Sequence, residues 1–123
     1  MQDPPTITEL LDATAAFLRN VAVPQLSGHA SFHARVAANA LDIVKRELEL
    51  RPAAERDEHV RLQALLRPDG SLEELNALLS RRIAAGEVDL QTPGLAEHLW
   101  ATTLAKVAID QPTYASYRHE TGT

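Results

Sequence analysis

The chain of 123 residues contains no cysteine, which excludes disulfide bonds, thiol nucleophiles and cysteine-ligated zinc. Aromatic residues make up only 4%, so Leu, Ala, Val and Ile must build the core, and these residues suit packed helices. No apolar run approaches the roughly 20 residues that span a bilayer. The N-terminal sequence MQDPPT lacks the basic and then apolar pattern of a signal peptide. These absences predict a cytoplasmic protein without a membrane segment.

The chain also lacks an excess of basic residues, and its net charge is −5. Binding to nucleic acid requires a basic face that neutralises phosphates, so the charge argues against that class of partner. It also disfavours adhesion to an anionic membrane. A local arginine cluster can still hold one anion.

Local signals divide the chain into helices separated by short turns. Two capping boxes, TITE at Thr6 and SLEE at Ser71, mark helix starts. Pro24, Pro52 and the pair Thr92-Pro93 mark helix ends or beginnings. The spacing of apolar residues predicts helices over about 7–22, 29–50, 53–66, 72–85 and 93–110. We therefore predict an all-α fold, a compact bundle of about five helices in one domain over residues 1–123. Its ordered core spans about 6–115, and the C-terminal tail is frayed.

Two of the predicted helices carry more apolar surface than a small domain easily covers. The helix over 29–50 is apolar around half of its circumference, and the helix over 93–110 is apolar almost all round. The excess surface indicates an interface with a partner or a second copy. Alternatively, the alanine-rich faces pack closely and leave nothing exposed.

The segment FHARVAANALDIV, residues 32–44, places polar side chains within an alanine-rich helix. His33 falls in the apolar sector, which predicts a buried neutral imidazole that serves as a structural anchor; the alternative is a ligand or proton carrier. His29 lies four residues earlier on the same face, but zinc requires three or four ligands and no HExxH motif is present. His98 or Glu97 would have to complete such a site. We expect no metal and no cofactor.

The opposite sector of the same helix carries Arg35, Asn39, Asp42 and Arg46. A solvated helix face with weak local ion pairs explains this pattern. Recognition of an anion or a partner also explains it, since guanidinium groups match carboxylates and phosphates. Asn39 is a poor helix former in mid-helix, so its presence needs a reason, such as a buried hydrogen bond to a neighbouring helix or loop.

Motifs of the common catalytic classes are missing. The chain has no glycine-rich phosphate loop, no GxSxG and no kinase signature. Its paired carboxylates occur only on polar faces, and acid–base catalysis in a cleft is therefore not indicated. We predict no catalytic residue.

FHARVAANALDIVKREL resembles a family of small all-helical proteins of unassigned function. The agreement extends to ITELLDATAAFLRNVAVPQL, LLRPDGSLEELNALLSRRIAAGEVDL and LWATTLAKVAIDQPTYASYR, and so covers about residues 6–118. Members of that family are typically encoded beside an aminoglycoside-phosphotransferase-like kinase and an acyl-CoA dehydrogenase-like protein. One member is the small companion of such a kinase in the bacterial breakdown of levulinic acid, where the pair phosphorylates a hydroxyacyl-CoA intermediate. The resemblance implies an accessory subunit and transfers no catalytic residue.

The combined hypothesis is a non-catalytic accessory subunit that binds an aminoglycoside-phosphotransferase-like kinase acting on hydroxyacyl-CoA or related substrates. Its apolar helix faces would form the docking surface. Arg35, Asn39 and Arg46 would orient a loop of the partner or an anionic group of the substrate. The alternative is a free-standing homodimeric helical module that binds a small acidic ligand, and a third hypothesis is a stand-alone enzyme using His33.

Overall fold

A computed structural model describes residues 3–123, so Met1 and Gln2, which the predicted domain includes, lie outside the described residues. Within this range the chain forms five continuous helical segments and no strand, which confirms the predicted all-α class. The chain divides into two units, Met1–Glu49 and Leu50–Thr123. The single domain stays a prediction.

The first helical segment begins with α1 (Ile7–Phe17) and confirms the predicted capping box. The Thr6 hydroxyl accepts from the Glu9 amide at 3.2 Å, and the Glu9 carboxylate accepts from the Thr6 amide at 2.6 Å. A π-helical turn (Leu18–Ala22) and a short α2 (Val23–Gln25) then extend the helix past the predicted end. Pro24 lacks an amide donor and would crowd the preceding turn of an α-helix, so the wider π turn accommodates it.

The second segment, α3 (Gly28–Leu66), is one helix of 39 residues and corrects the prediction of two helices broken at residues 51–52. Pro52 lies inside the helix. Proline lacks the amide that would bond to the carbonyl four residues earlier, and its ring crowds that carbonyl. The rest of the hydrogen-bond ladder stays available, so the helix can continue through an exposed proline when the flanking turns are held by other contacts.

In the first unit, polar links join the N-terminal helical segment to α3. Lys45 donates to the Asp12 carboxylate at 2.8 Å, and the Ser31 hydroxyl donates a longer bond of 3.4 Å to the Val23 carbonyl oxygen. Among residues 3–49, the buried side chains are all small: Ala15, Ser31, Ala34 and Ala38. We call the buried α3 residues Ser31, Ala34 and Ala38 the small-residue seam.

In the second unit, the end of α3 packs with α4 (Leu72–Ala84) and α5 (Leu95–Asp110). The Ser71 capping box is confirmed, and Gly86 adopts the expected left-handed conformation with φ +74°. Asn76 of α4 donates to Glu58 of α3 at 2.9 Å. The core of this unit consists of Leu62, Leu66, Leu75, Leu79, Val88 and Leu95.

Two predictions for the C-terminal region require correction. The last long helix begins at Leu95 with Gly94 as its N-cap, two residues after the predicted start. Thr92 instead accepts a hydrogen bond from the Asp89 amide at 3.0 Å within the preceding turn. The tail, expected to be irregular, forms a short α6 (Ala115–Thr121). Among the described residues, no helix is both long enough and apolar enough to cross a bilayer.

Candidate functional site

Asn39, one of the predicted recognition residues, is engaged by an arginine from the N-terminal helical segment. Nη2 of Arg19 donates to Asn39 Oδ1 at 2.9 Å and to Asp42 Oδ2 at 2.5 Å. The second guanidinium nitrogen lies 3.4 Å from Asp42 Oδ1. Asn39 therefore does bond to a neighbouring element, but this bond is exposed and not buried as expected. Arg19 itself was missed in the sequence, because nothing local pairs it with a residue twenty positions away.

The contact with Arg19 favours the ionised form of the Asp42 carboxyl. The hydrogen bond from the Arg19 guanidinium, followed by its positive charge, lowers the pKa of the Asp42 carboxyl below its ordinary value of 3.8. Arg46 and Lys45 add smaller effects in the same direction. The same bond raises the pKa of Arg19. Both side chains remain about one-third exposed, so this ion pair makes a modest contribution to stability.

The other two predicted recognition residues lie on the same helix with fewer contacts described. Arg35 is exposed, and its Nη2 donates only a long bond of 3.4 Å to the Ser31 hydroxyl. Arg46 is half-buried. The structure brings Asn39 and Arg46 close to Asp42, whereas Arg35 is exposed as a residue and reaches only the Ser31 hydroxyl. A role of these residues in binding a partner stays a prediction.

The position of His33 corrects the prediction that it is a buried anchor. Its side chain is exposed. The ring contacts Phe32 edge to face, with 5.6 Å between centroids, and stacks on His29 at 6.4 Å. Among residues 3–123, no group of three or more histidine or carboxylate side chains is arranged to hold a metal ion.

His33 is exposed because the large apolar residues of α3 lie on the side of the helix opposite the small-residue seam, and that side is not covered. Phe32, Val36 and Ile43 remain 59%, 46% and 37% exposed. At about 100° per residue these three lie within about 40° of one another, and about 150° from the centre of the seam. We call Phe32, Val36 and Ile43 the outer stripe of α3. The sequence predicted an apolar face on this helix and left open whether it packs closely or forms an interface.

The N-terminal helical segment repeats this arrangement. Ala15 is its buried residue, whereas Leu10 and Phe17 on α1 are each more than half exposed. Those two residues are seven positions apart, so they lie on one side of the helix. The large exposed apolar residues of the first unit are Ile7, Leu10, Phe17, Val21, Leu26, Phe32, Val36, Ile43, Val44 and Leu48. The expected excess of apolar surface is thus present, and the alternative, in which close packing leaves none exposed, does not hold.

A family model described as a domain of unknown function (DUF6285) covers residues 24–114, a range that includes FHARVAAN and most of the helical chain. No curated protein and no solved structure matches the chain.

Proposed function

Since the chain belongs to the DUF6285 family, we propose that it acts as a non-catalytic accessory subunit that docks a partner protein on its first unit. The partner is an aminoglycoside-phosphotransferase-like kinase that acts on hydroxyacyl-CoA or related substrates. The single observation that carries the docking role is the exposure of large apolar side chains on a helical unit whose buried residues, in the part that the structure describes, are all small.

Such a distribution is unfavourable for an isolated helical unit. Stability of folded domains comes mainly from burying large apolar side chains, each of which contributes about 1.5–3 kcal/mol when fully removed from water. In the first unit this gain is largely unrealised, because Phe17 and Phe32 are both more than half exposed. A partner that covers these side chains would supply the missing burial. Aromatic residues in such positions are frequent anchors of protein interfaces.

Polar residues border this apolar surface, and they can fix the orientation of a bound partner. Arg35 is exposed, and its one described hydrogen bond is 3.4 Å long, so its guanidinium can bind a carboxylate of the partner. Asn39 is occupied by Arg19 and supports the position of α3. Arg35 is therefore the stronger candidate for direct recognition.

The identity of the partner rests on the resemblance drawn from the FHARVAAN segment and its flanking sequences. A gene for the kinase beside the gene of this protein is the first expected observation. Co-expression of the two should then yield a complex that survives purification, and kinase turnover should rise when the accessory subunit is present. If the two proteins never co-purify and turnover is the same with and without this protein, the proposal is wrong.

A matched pair of variants tests the surface itself. Val36→Asp adds a carboxylate to the outer stripe, whereas Ala37→Asp adds the same charge about 100° further around the same helix. Both positions are exposed, so both variants should fold. We expect Val36→Asp to abolish co-purification and Ala37→Asp to retain it, and equal behaviour of the two would contradict docking through the outer stripe.

A second copy of the chain is the other occupant that this surface suits. The first unit contributes two helical segments, and two such units joined through their exposed apolar sides would form a four-helix arrangement. Light scattering of the purified protein separates the two cases. A dimer that Val36→Asp converts to monomer would favour the homodimeric module, whereas a monomer that associates only with the kinase favours the accessory subunit.

A further inference from the structure

Two histidine rings lie next to each other on the surface of α3. His29 and His33 are both exposed, and their ring centroids are 6.4 Å apart with 28° between the ring planes. The edge-to-face contact of Phe32 with His33, at 5.6 Å between centroids, is the other described contact of this pair. Both contacts are between rings, so the nitrogen atoms of the two imidazoles stay available as ligands.

The spacing of four residues places both imidazoles on one side of the helix, since side chains at positions i and i+4 have β-carbons about 5–6 Å apart. An imidazole nitrogen lies about 2 Å from a metal ion that it binds, which puts the ring centre about 3 Å from the ion. Two rings that share one ion therefore have centroids up to about 6 Å apart. The observed 6.4 Å is slightly longer. Because both side chains are exposed, rotation about their side-chain bonds can close this difference and turn one nitrogen of each ring toward the same point.

A pair of imidazoles selects the class of ion that it binds. Imidazole nitrogen is a good ligand for copper, nickel and zinc, whereas magnesium and calcium take oxygen ligands. Among residues 3–123, no third histidine or carboxylate joins the pair in a group that could hold a metal ion. A structural zinc site with three or four protein ligands is therefore not formed within this range, and water would complete the coordination of an ion bound by the two rings.

We propose that His29 and His33 together bind a divalent transition-metal ion, with one nitrogen from each ring and water in the remaining coordination positions. The preferred ions are Cu²⁺ and Ni²⁺. The expectation of no metal from the sequence rests on the three or four protein ligands that zinc requires, and it does not extend to ions that two imidazoles hold. The site is formed by one helix of a single chain, so it does not depend on the proposed docking of a partner.

Isothermal titration calorimetry of the full chain with nickel chloride tests whether the pair binds such an ion. We expect one Ni²⁺ per chain at about pH 7.5 and no binding of Mg²⁺ at the same concentrations. At about pH 5 the binding of Ni²⁺ should weaken roughly tenfold or more, because a protonated imidazole has no free lone pair for a metal. A carboxylate site would keep its affinity at this pH, since its ligands stay ionised, and that result would contradict the proposal.

Single substitutions test which histidines are the ligands. His33→Gln leaves one imidazole of the pair and should weaken the binding of Ni²⁺ roughly tenfold or more. His119→Gln is the matched control, because it removes an exposed histidine of α6 that lies outside the pair. This control should change the affinity for Ni²⁺ less than about twofold. Equal weakening in the two variants would overturn the assignment of the site to His29 and His33.

Two double variants with the same composition separate the spacing of the histidines from their number. His29→Gln with Ala37→His rebuilds a pair four residues apart and should bind Ni²⁺ within about threefold of the native chain. His33→Gln with Ala37→His leaves two imidazoles eight residues and about 12 Å apart along the helix, too far to share an ion, and should bind roughly tenfold more weakly or less. All three positions are exposed, so both variants should keep the far-ultraviolet circular dichroism of the native chain. Equal affinities of the two double variants for Ni²⁺ would overturn the proposal.

Discussion

The hydrogen bond between Arg19 and Asn39 predicts a measurable coupling within the first unit. Replacing Asn39 with alanine removes the oxygen that accepts from Arg19 at 2.9 Å. A bond to a charged donor contributes about 1.5 kcal/mol, and exposure of both side chains reduces this toward about 1 kcal/mol. Alanine is a better helix former than asparagine by about 0.6 kcal/mol. These effects oppose each other, so Asn39→Ala alone should lower the free energy of unfolding by only about 0.5 kcal/mol.

A double-mutant cycle with Arg19→Ala separates the two effects. The helix-propensity gain at position 39 is the same in both backgrounds and cancels, which leaves a coupling of about 0.5–1 kcal/mol between the two side chains. Arg19→Ala by itself also removes the ion pair with Asp42, and it should cost up to about 1 kcal/mol more. The assay is urea denaturation followed by far-ultraviolet circular dichroism, with the free energy of unfolding extrapolated to water.

Arg35→Ala is the matched control, because it removes an exposed arginine from the same helix whose only described bond is 3.4 Å long. It should change the free energy of unfolding by less than about 0.5 kcal/mol and show no coupling to Asn39. A coupling of zero between Arg19 and Asn39 would refute the structural role assigned here. If Asn39→Ala then also weakened partner binding, the original prediction of direct recognition by Asn39 would stand instead.

Three other substitutions have expected outcomes that follow from burial and charge. Phe32→Ala should lower the free energy of unfolding by at most about 1 kcal/mol in thermal denaturation, because more than half of the residue is already exposed. Leu62 is fully buried, so Leu62→Ala should lower the free energy of unfolding by about 2–5 kcal/mol. Equal losses in the two variants would contradict the exposed placement of Phe32. The lowered pKa of Asp42 contributes stability above the ordinary pKa of 3.8, and this contribution is lost as the pH falls through the lowered pKa. In denaturation experiments, Asp42→Asn should therefore lose less stability than the native chain between about pH 5 and pH 2. Because the pKa of His98 is lowered, the unfolded chain takes up a proton at higher pH than the folded chain, so the contribution of His98 to stability is present above about pH 6.5 and is lost at lower pH. The melting temperature of His98→Gln should therefore fall less than that of the native chain between about pH 7 and pH 5. An unchanged dependence of the melting temperature on pH would contradict the lowered pKa.

Features set by neighbouring residues were predictable from the sequence. Both capping boxes, at Thr6 and Ser71, form as expected, because the cap and its partner are three residues apart and need no other element. The left-handed Gly86 is equally local. The all-α class followed from apolar spacing that only helices satisfy.

Features that depend on what a helix packs against were not predictable. The apolar periodicity of α3 located Phe32 and Val36 on one face, but it carries no information on whether that face is covered. Burial of the small-residue seam instead of that face also exposed His33. The same limit applies to His98, one histidine on a mostly apolar helix, because its burial depends on what α5 packs against.

The break expected at Pro52 failed for a different reason. Proline is a strong signal for the end of a helix, yet its cost is a few kcal/mol at one position. That cost can be offset over a helix of 39 residues, whereas no local pattern reports the offset.

The π-helical turn at Leu18–Ala22 holds one residue more than an α-helical turn would. Loss of a single amino acid from this turn would let the backbone close into ordinary α-helix without breaking it. The same shortening would rotate residues on one side of the turn by about 100° relative to those on the other. Arg19 belongs to this turn, so a shorter chain would carry its guanidinium away from the carboxylate of Asp42. Length variation among homologous chains should therefore be absent here wherever an arginine and an aspartate occupy these two positions.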